Sequence, residues 1–507
     1  MKKFNLLALF LSASFLVYLT GCQEEGVQPS TEDAVGSGSA VITVGNGNEF
    51  FLPGNTTWTF GNTYLLDGLV RVPSGVTLTI EPGVIVKGLS GVAGSIPGTL
   101  LVERGGIINA DGTAAQPIIF TSAEPVGSRA PGDWGGLVIL GNSWVNVAAG
   151  VNGAPADHVG AIEGLPAGFT PGLYGSGSSN QFVNQDDNSG TLRWIRIEYA
   201  GNVLTEGNET NGLTLGGVGR GTTVEHIWVS YGADDGIEWF GGWVRSKYLI
   251  CTNNTDDDFD SDQGNNSLVQ FGIIQKNPLI SVAGSGGARA FESNGDEDDV
   301  APGTANLTSN PTYSNITVIG PAGPFPPYCT GVNPDFDHGV AVRDLSRLDI
   351  FNSAIGGFPG DQFFLENPQT WGGRSTAKNN QVVRPFITGS RISSVGAPFV
   401  ASKWSNVAIA ANGCAGSSQD VATFLGLRGA AWRTPELNGQ PQPDFVPPAS
   451  SVLLSGADFS DLLLQPPYFD VVTFRGGINR DAGGPGSAAA WGLSSAWYEY
   501  TPQDNPY

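Results

Sequence analysis

Uninterrupted helix-forming stretches are scarce in this 507-residue chain, because 73 glycines and 33 prolines break it up. Both residues disfavour helix interiors, so a helix bundle or a coiled coil is excluded. Basic residues are scarce as well: 24 Lys and Arg stand against 47 Asp and Glu, which gives a net charge of −23. This charge repels the phosphate backbone of nucleic acids, so we expect no nucleic-acid partner.

Histidine and cysteine are also rare, with three and four copies and no CxxC or His-rich spacing, which disfavours a zinc site. Cys251 lies in an apolar run and is expected to be a small buried hydrophobe. Cys329 and Cys414 lie in loops rich in Gly, Pro and Asn. They are the candidate disulfide of an oxidising envelope, with two free thiols as the alternative.

The N-terminus carries a long apolar run, residues 4–19, directly after Lys2 and Lys3. The run is short for a membrane span and typical of an export signal. It ends in Leu19-Thr20-Gly21-Cys22, which resembles a bacterial lipobox. We therefore predict a signal peptide over 1–21, cleavage before Cys22, lipid on its thiol as a membrane anchor, and a flexible tether over 22–40.

The residues after Cys22 bear on which side of the membrane the protein faces. Glu24 and Glu25 resemble the surface-export signals of Bacteroidota lipoproteins, and a plain charged tether is the alternative. The expected location is therefore the outer membrane, at the cell surface or on its periplasmic face.

An internal repeat indicates the fold. Two pairs of segments align at an offset of 22 residues: 77–83 (TLTIEPG) with 99–105 (TLLVERG), and 233–242 (ADDGIEWFGG) with 255–264 (TDDDFDSDQG). Short alternating strands separated by Gly, Asn and Asp, without helices between them, are typical of one coil of a parallel β-helix. We predict an all-β, right-handed parallel β-helix over 41–400 and a loop-rich C-terminal cap with further coils over 401–507. A string of β-sandwiches is the alternative.

Several segments in order resemble a group of secreted or lipid-anchored β-helix proteins of Bacteroidota. These segments are LTIEPGVIVKG (78–88, preceded by Thr77), PIIFTS (117–122), GDWGGLVILG (132–141), NGLTLGGVG (211–219), DDGIEWFGG (234–242), DDDFDSDQG (256–264) and VQFGI (269–273). The resemblance implies a β-helix fold and an envelope location. It brings no established activity, and therefore no catalytic residue.

The repeat predicts a column of acids, because at an offset of 22 Asp235 lies on Asp257. Like charges opposed on neighbouring strands cost from about 1 kcal/mol in water to several at a lower dielectric constant. Raised carboxyl pKa values or a bound cation offset this cost, and calcium prefers six to eight such oxygens. A solvated, turn-rich corner is the alternative. The candidate metal ligands are Asp234, Asp235, Glu238, Asp256, Asp257, Asp258, Asp260 and Asp262.

Aromatic residues near these acids suggest a glycan-binding groove. The candidates are Tyr231, Trp239 and Trp243, and Trp239 is expected to point outward because it aligns with the polar Ser261. We therefore expect a non-catalytic binding or scaffold lipoprotein, with glycan and calcium as ligands. The alternatives are a polysaccharide lyase or glycoside hydrolase, and an accessory lipoprotein of an outer-membrane receptor or transporter.

Overall fold

The computed structural model describes residues 39–91, 96–165, 168–205, 208–277, 280, 287–295, 301, 307–321, 335–336, 338–358, 362–365, 376–383, 404–409, 445–481 and 483–507. The signal peptide, Cys22, most of the tether, Cys329 and Cys414 lie outside these residues. Cys251 is a buried free thiol, as expected.

The ordered elements of the described residues are β-strands and short 3₁₀ helices. The 3₁₀ helices are Val151–Gly153, Val452–Leu454, Leu462–Leu464 and Pro502–Asp504. The strands are β1 (Val41–Phe51), β2 (Thr56–Trp58), β3 (Thr63–Val72), β4 (Thr77–Ile80), β5 (Ile85–Gly88), β6 (Thr99–Val102), β7 (Ile107–Asp111), β8 (Ile118–Ser122), β9 (Leu137–Leu140), β10 (Gly160–Ala161), β11 (Leu173–Tyr174), β12 (Gly190–Glu198), β13 (Asn202–Thr205), β14 (Asn208–Thr210), β15 (Leu213–Gly216), β16 (Thr223–Ser230), β17 (Ile237–Phe240), β18 (Arg245–Thr252), β19 (Phe259–Asp262), β20 (Leu268–Gln275), β21 (Phe291–Ser293), β22 (Thr312–Ile319), β23 (Val340–Val342), β24 (Asp349–Phe351), β25 (Ala354–Gly356), β26 (Phe363–Leu365), β27 (Thr376–Val383) and β28 (Trp404–Ile409).

Twenty-four of the strands form one continuous sheet that winds into three faces. In a typical coil, the first half of β16 lies on the first face, its second half on the second face, and β17 on the third face. The same three positions are filled by β18 and β19 in the next coil, and the strands pair in parallel. The fold is a right-handed parallel β-helix, which confirms the predicted fold class.

The 22-residue offset is confirmed where the acids lie and in the first coils, where Thr57 pairs with Thr79 and Thr63 with Ile85, but the predicted alignment of 77–83 with 99–105 is wrong. Glu238 pairs with Asp260, 22 positions later. Thr77, however, pairs with Ile107, and Thr99 pairs with Leu69, so the segments 77–83 and 99–105 are not neighbours. The loop between β5 and β6 lengthens this coil and shifts the pairing.

The corner between the first and second faces needs a left-handed backbone in every coil from β12 to β24. The non-glycine residues at this corner have φ between 50° and 64°, which is costly for side chains with a Cβ. Ring stacking along the corner offsets part of this cost: the ring centroids of Trp194 and His226 are 3.6 Å apart, and those of His226 and Tyr248 are 4.4 Å apart. The corner residues are Trp194, His226, Tyr248, Phe271, Asn315 and Asn352.

Strand alternation divides each strand between the core and the outside. On β17, Ile237 and Trp239 belong to the main hydrophobic core, while Phe240 packs on a separate cluster outside it. Stacked Ile, Val and Leu side chains fill the interior along the whole helix, and each contributes about 1.5–3 kcal/mol by burial.

Residues 141–188 form an insertion that packs on the third face. The insertion contains the β10–β11 hairpin, and the rings of Tyr174 and Phe240 lie 5.9 Å apart. After the insertion the coils resume, and as far along the chain as β27 the strands continue the β-helix by pairing with β24 and β25.

The described part of the expected cap, residues 445–507, is irregular but covers a side of the helix and not its open end. This C-terminal segment packs on outward residues of the second face, including Trp228, Ile250 and Ile273. The segment runs back from late coils to early ones. Asp461 contacts Lys378 of β27, whereas the Tyr507 carbonyl accepts a hydrogen bond of 2.6 Å from Lys87 of β5. The segment lies there because it shields these outward-pointing apolar side chains from water.

Within the described part of the chain, no helix is both long and apolar enough to cross a membrane.

The His226 ring provides a pH test of this packing. Burial lowers the pKa of His226 to about 4 from 6.5, and its Nε2 lies 2.8 Å from the Ala490 carbonyl of the C-terminal segment. Because the unfolded chain binds the proton more tightly, stability falls as the pH drops from about 6.5 to about 4, by up to about 3 kcal/mol. We expect His226→Phe to flatten this part of the pH profile in chemical denaturation.

Tyr248→Phe is the matched control, since it alters the neighbouring ring without removing a group that titrates in this range. It should keep the wild-type slope. A wild-type slope in His226→Phe would show that the buried imidazole does not limit acid stability.

Candidate functional site

The candidate site lies on the third face, on the strands β15, β17, β19 and β21. Glu238 pairs with Thr214 on one side and Asp260 on the other, and Asp260 pairs with Glu292. The turns that precede these strands stack as well, since the Asp257 N–H donates to the Asp235 carboxylate at 2.9 Å. The structure thus brings the predicted acids into adjacent columns.

Five carboxylates converge at this point. Oxygens of Asp234, Asp235 and Asp256 lie within 4.8 Å of one another, and so do oxygens of Asp235, Glu238 and Asp260. Asp235 belongs to both groups. We call the set Asp234, Asp235, Glu238, Asp256 and Asp260 the acidic cluster.

Burial and mutual repulsion make ionisation of the acidic cluster costly. Asp235 is 8% exposed and Glu238 6%. Burial raises the pKa of both carboxyls well above the usual range, and neighbouring acids, Asp234 for Asp235 and Glu163 for Glu238, raise it further. Because the folded state then binds these protons more tightly than the unfolded chain, stability without a cation falls as the pH rises through the folded pKa.

Neutral hydrogen-bond donors contact the buried acids of the cluster. The Asn211 amide donates to Glu238 Oε2, and its oxygen accepts the Asp235 N–H at 3.2 Å. Among the residues that the structure describes, no lysine or arginine forms an ion pair with Asp234, Asp235 or Glu238.

Nearby cationic side chains are directed at other carboxylates. Lys276 forms a 3.0 Å ion pair with Asp258, and both side chains are fully buried. Arg289 contacts Asp257 at 3.6 Å and also binds Glu292, which a second arginine, Arg343, contacts as well.

Three of the predicted metal ligands therefore have other roles in this geometry. Asp258 belongs to the buried ion pair with Lys276, and Asp257 faces Arg289. The Asp262 carboxylate accepts the N–H of Gln263 at 2.5 Å, within its own turn. These three acids lie outside the acidic cluster.

Each group of three acids meets the distance requirement of a calcium site. Calcium binds oxygens at 2.3–2.6 Å, so the ligand oxygens around one ion lie at most about 5 Å apart, and the three acids of either group satisfy this limit. An ion in one group would take one oxygen from each of three carboxylates, and other groups, water or a ligand would supply the rest of the six to eight oxygens that calcium prefers.

The predicted glycan-binding aromatics are dispersed. Trp239 is 0% exposed in the core, because Glu238 and Phe240 on either side point outward, so it is unavailable to a ligand. Its partner Ser261 is polar but internal, bonded to Ser293 at 2.9 Å. Tyr231 is 7% exposed and stacks on Tyr199. Trp243 remains half-buried near the exposed Phe182.

Sequence reasoning named Arg289 and Arg343 as candidate bases of a lyase but missed Asn211 and Glu292 beside the cluster. A signal was present: Phe259-Asp260-Ser261 recurs as Phe291-Glu292-Ser293, and these triplets pair in register. The ten extra residues in that coil concealed the match from a search at a fixed offset of 22.

Comparison with known proteins gives one family. A family model described as a pectate-lyase-like beta helix domain matches residues 51–325, more than half of the chain. No curated protein and no solved structure gives a significant match.

Calcium is expected to stabilise the protein through the acidic cluster. A ligand that binds only the folded state adds about 2.7 kcal/mol at one hundred times its Kd. We expect calcium to raise the Tm and a chelator to reverse the rise. Asp235→Asn should raise the Tm of the calcium-free protein, because it removes a buried charge, and should lose the calcium response.

Asp481→Asn, at an exposed acid remote from the cluster, is the control and should respond to calcium like the wild type. An equal calcium response in Asp235→Asn would place the cation elsewhere.

Proposed function

The chain belongs to the family of pectate-lyase-like β-helix domains, and from this premise we propose a non-catalytic, lipid-anchored binding protein that uses calcium to hold acidic glycans. The observation that carries the proposal is a pair of three-carboxylate groups that share Asp235, each with oxygens within 4.8 Å of one another. A calcium ion there offsets their repulsion and has coordination positions left for a carboxylate of the glycan.

The exposure of the cluster supports a ligand on its outer side. Asp235 and Glu238 are nearly buried, whereas Asp234, Asp256 and Asp260 are half-buried and reach the surface of the third face. An ion held by both kinds of carboxylate is anchored from below and accessible from above. A uronic-acid polymer supplies the oxygens that complete its coordination.

The ion pairs made by Arg289 and Arg343 favour a binding role for the site over a catalytic one. Cleavage by β-elimination needs a base that removes a proton from the sugar ring. Arg289 and Arg343 both contact Glu292, so each guanidinium is already engaged by a carboxylate. They are better suited to neutralise the edge of the site or to bind a sugar carboxylate than to accept a proton.

A polysaccharide lyase is the second candidate function. It is favoured by the family and by the position of Arg289, which contacts Asp257 next to the acidic cluster. The two functions differ in whether the bound polymer is cut.

The anchoring proposal rests on the sequence. The lipobox-like Leu19-Thr20-Gly21-Cys22 and the following Glu24 and Glu25 support attachment to the outer membrane of a Bacteroidota-type envelope, facing the cell surface. A role as an accessory lipoprotein of an outer-membrane receptor predicts, in contrast, a stable protein partner in detergent extracts.

Retention of acidic polysaccharides tests the proposed function. We expect polygalacturonate or alginate to be retained in the presence of calcium, released by a chelator, and recovered without new reducing ends or unsaturated products. Glu238→Gln should lose retention, and Asp481→Asn should keep it. Calcium-dependent cleavage that is lost in Arg289→Lys would instead establish the lyase, and no retention of any acidic polymer would refute glycan binding.

Membrane attachment tests the anchor. Cys22→Ser should move the protein from the membrane fraction to the soluble fraction and abolish incorporation of a labelled fatty acid. Cys251→Ser is the control, because Cys251 is buried in the helix, and it should leave both readouts unchanged. Membrane attachment of Cys22→Ser equal to that of the wild type would contradict a lipid anchor.

A further inference from the structure

A cavity lined by none of the residues of the acidic cluster lies where the 141–188 insertion returns to the β-helix. Its volume is about 470 Å³, within the range of about 300–1,000 Å³ that is typical of small-molecule sites. It is lined by Asn142, Phe182, Asn184, Gln185, Asp186 and Asp187.

Contacts with the β-helix hold the wall of this cavity in place. The Arg220 N–H donates to the Gln185 carbonyl at 2.7 Å, and its guanidinium binds Asp186 at 2.5 Å. Gly141 and Gly219 allow the loop to approach this closely, since a Cβ at either position would lie 2.5 Å from an atom of Asp187. The polar groups are therefore in place before any ligand arrives, which lowers the entropic cost of binding.

An exposed aromatic ring borders these polar groups. The Phe182 side chain is 61% exposed, and its ring centroid lies 6.1 Å from that of Trp243. The Trp243 indole N–H donates to the Gln181 carbonyl at 3.2 Å, which fixes the residue next to Phe182. Trp243 thus positions the Phe182 ring beside the polar groups of the cavity, where its face is open to a ligand.

The chemistry of the cavity matches a neutral sugar. A sugar ring has an apolar C–H face that packs on an aromatic ring and a rim of hydroxyls that both donate and accept. Asn and Gln side chains also do both, and Asp accepts. The lining residues include two aspartates, of which Asp186 is paired with Arg220, and no lysine or arginine, which disfavours anionic ligands.

We propose that this cavity, the Phe182 pocket, binds neutral oligosaccharides without calcium. The inference deepens the proposed glycan-binding function and assigns it a second site with a different sugar class. The two sites use different residues, so each fails or succeeds independently of the other.

The test uses the full chain in detergent and isothermal titration with cello-, xylo-, manno- and galacto-oligosaccharides. We expect at least one to bind in the presence of a chelator, and Phe182→Ala to weaken its affinity about tenfold. Phe182→Trp should restore binding, because it keeps an aromatic face. Phe60→Ala is the matched control, since Phe60 is 59% exposed in another part of the molecule, and it should bind like the wild type.

Absence of binding to all four probes would overturn the inference, and so would an equal loss in Phe60→Ala. Binding that needs calcium and disappears in Asp235→Asn would move the sugar to the acidic cluster and likewise refute the Phe182 pocket. The proposed function is tested separately by the calcium-dependent retention of acidic polymers. Phe182→Ala should keep this retention, whether or not the Phe182 pocket binds neutral sugars.

Discussion

In-register stacking of successive coils is the constraint on which the rest of this structure depends. Each strand pairs in parallel with its equivalent in the next coil, so side chains at equivalent positions are repeated about 4.8 Å apart. This repetition is favourable for side chains that pack well on similar neighbours, such as the core aliphatics and the stacked rings of Trp194, His226 and Tyr248. It penalises acids, because like charges are placed directly opposite each other.

The column through Asp235 shows how the fold responds to that penalty. Asn211 lies at one end, where its oxygen accepts the Asp235 N–H, and Arg289 lies at the other, where it contacts Asp257. Arg289 therefore compensates the charge at the Asp257 end, whereas Asp235 and Glu238 receive hydrogen bonds from neutral donors, the Asp257 N–H and the Asn211 amide. Buried acids that repel one another lower the stability of the fold when no cation is bound. A bound divalent cation is the simplest physical explanation for their presence at this position.

Much of this could be predicted from the sequence, because the stacking leaves a periodic trace. The match of residues 233–242 with 255–264 at a fixed offset led directly to the β-helix and to the pairing of Glu238 with Asp260. The direction of Trp239 was not predictable from its partner, since Ser261 is polar yet internal. The Phe182 pocket and the path of residues 445–507 depend on how non-repeating segments dock, and docking leaves no period in the sequence.

The central claim is that the acidic cluster binds calcium. The most direct measurement is the anomalous difference map of a crystal grown with calcium. The account predicts one peak about 2.3–2.6 Å from carboxylate oxygens of both Asp235 and Glu238. A cluster that contains only water or a basic side chain at saturating calcium would contradict it.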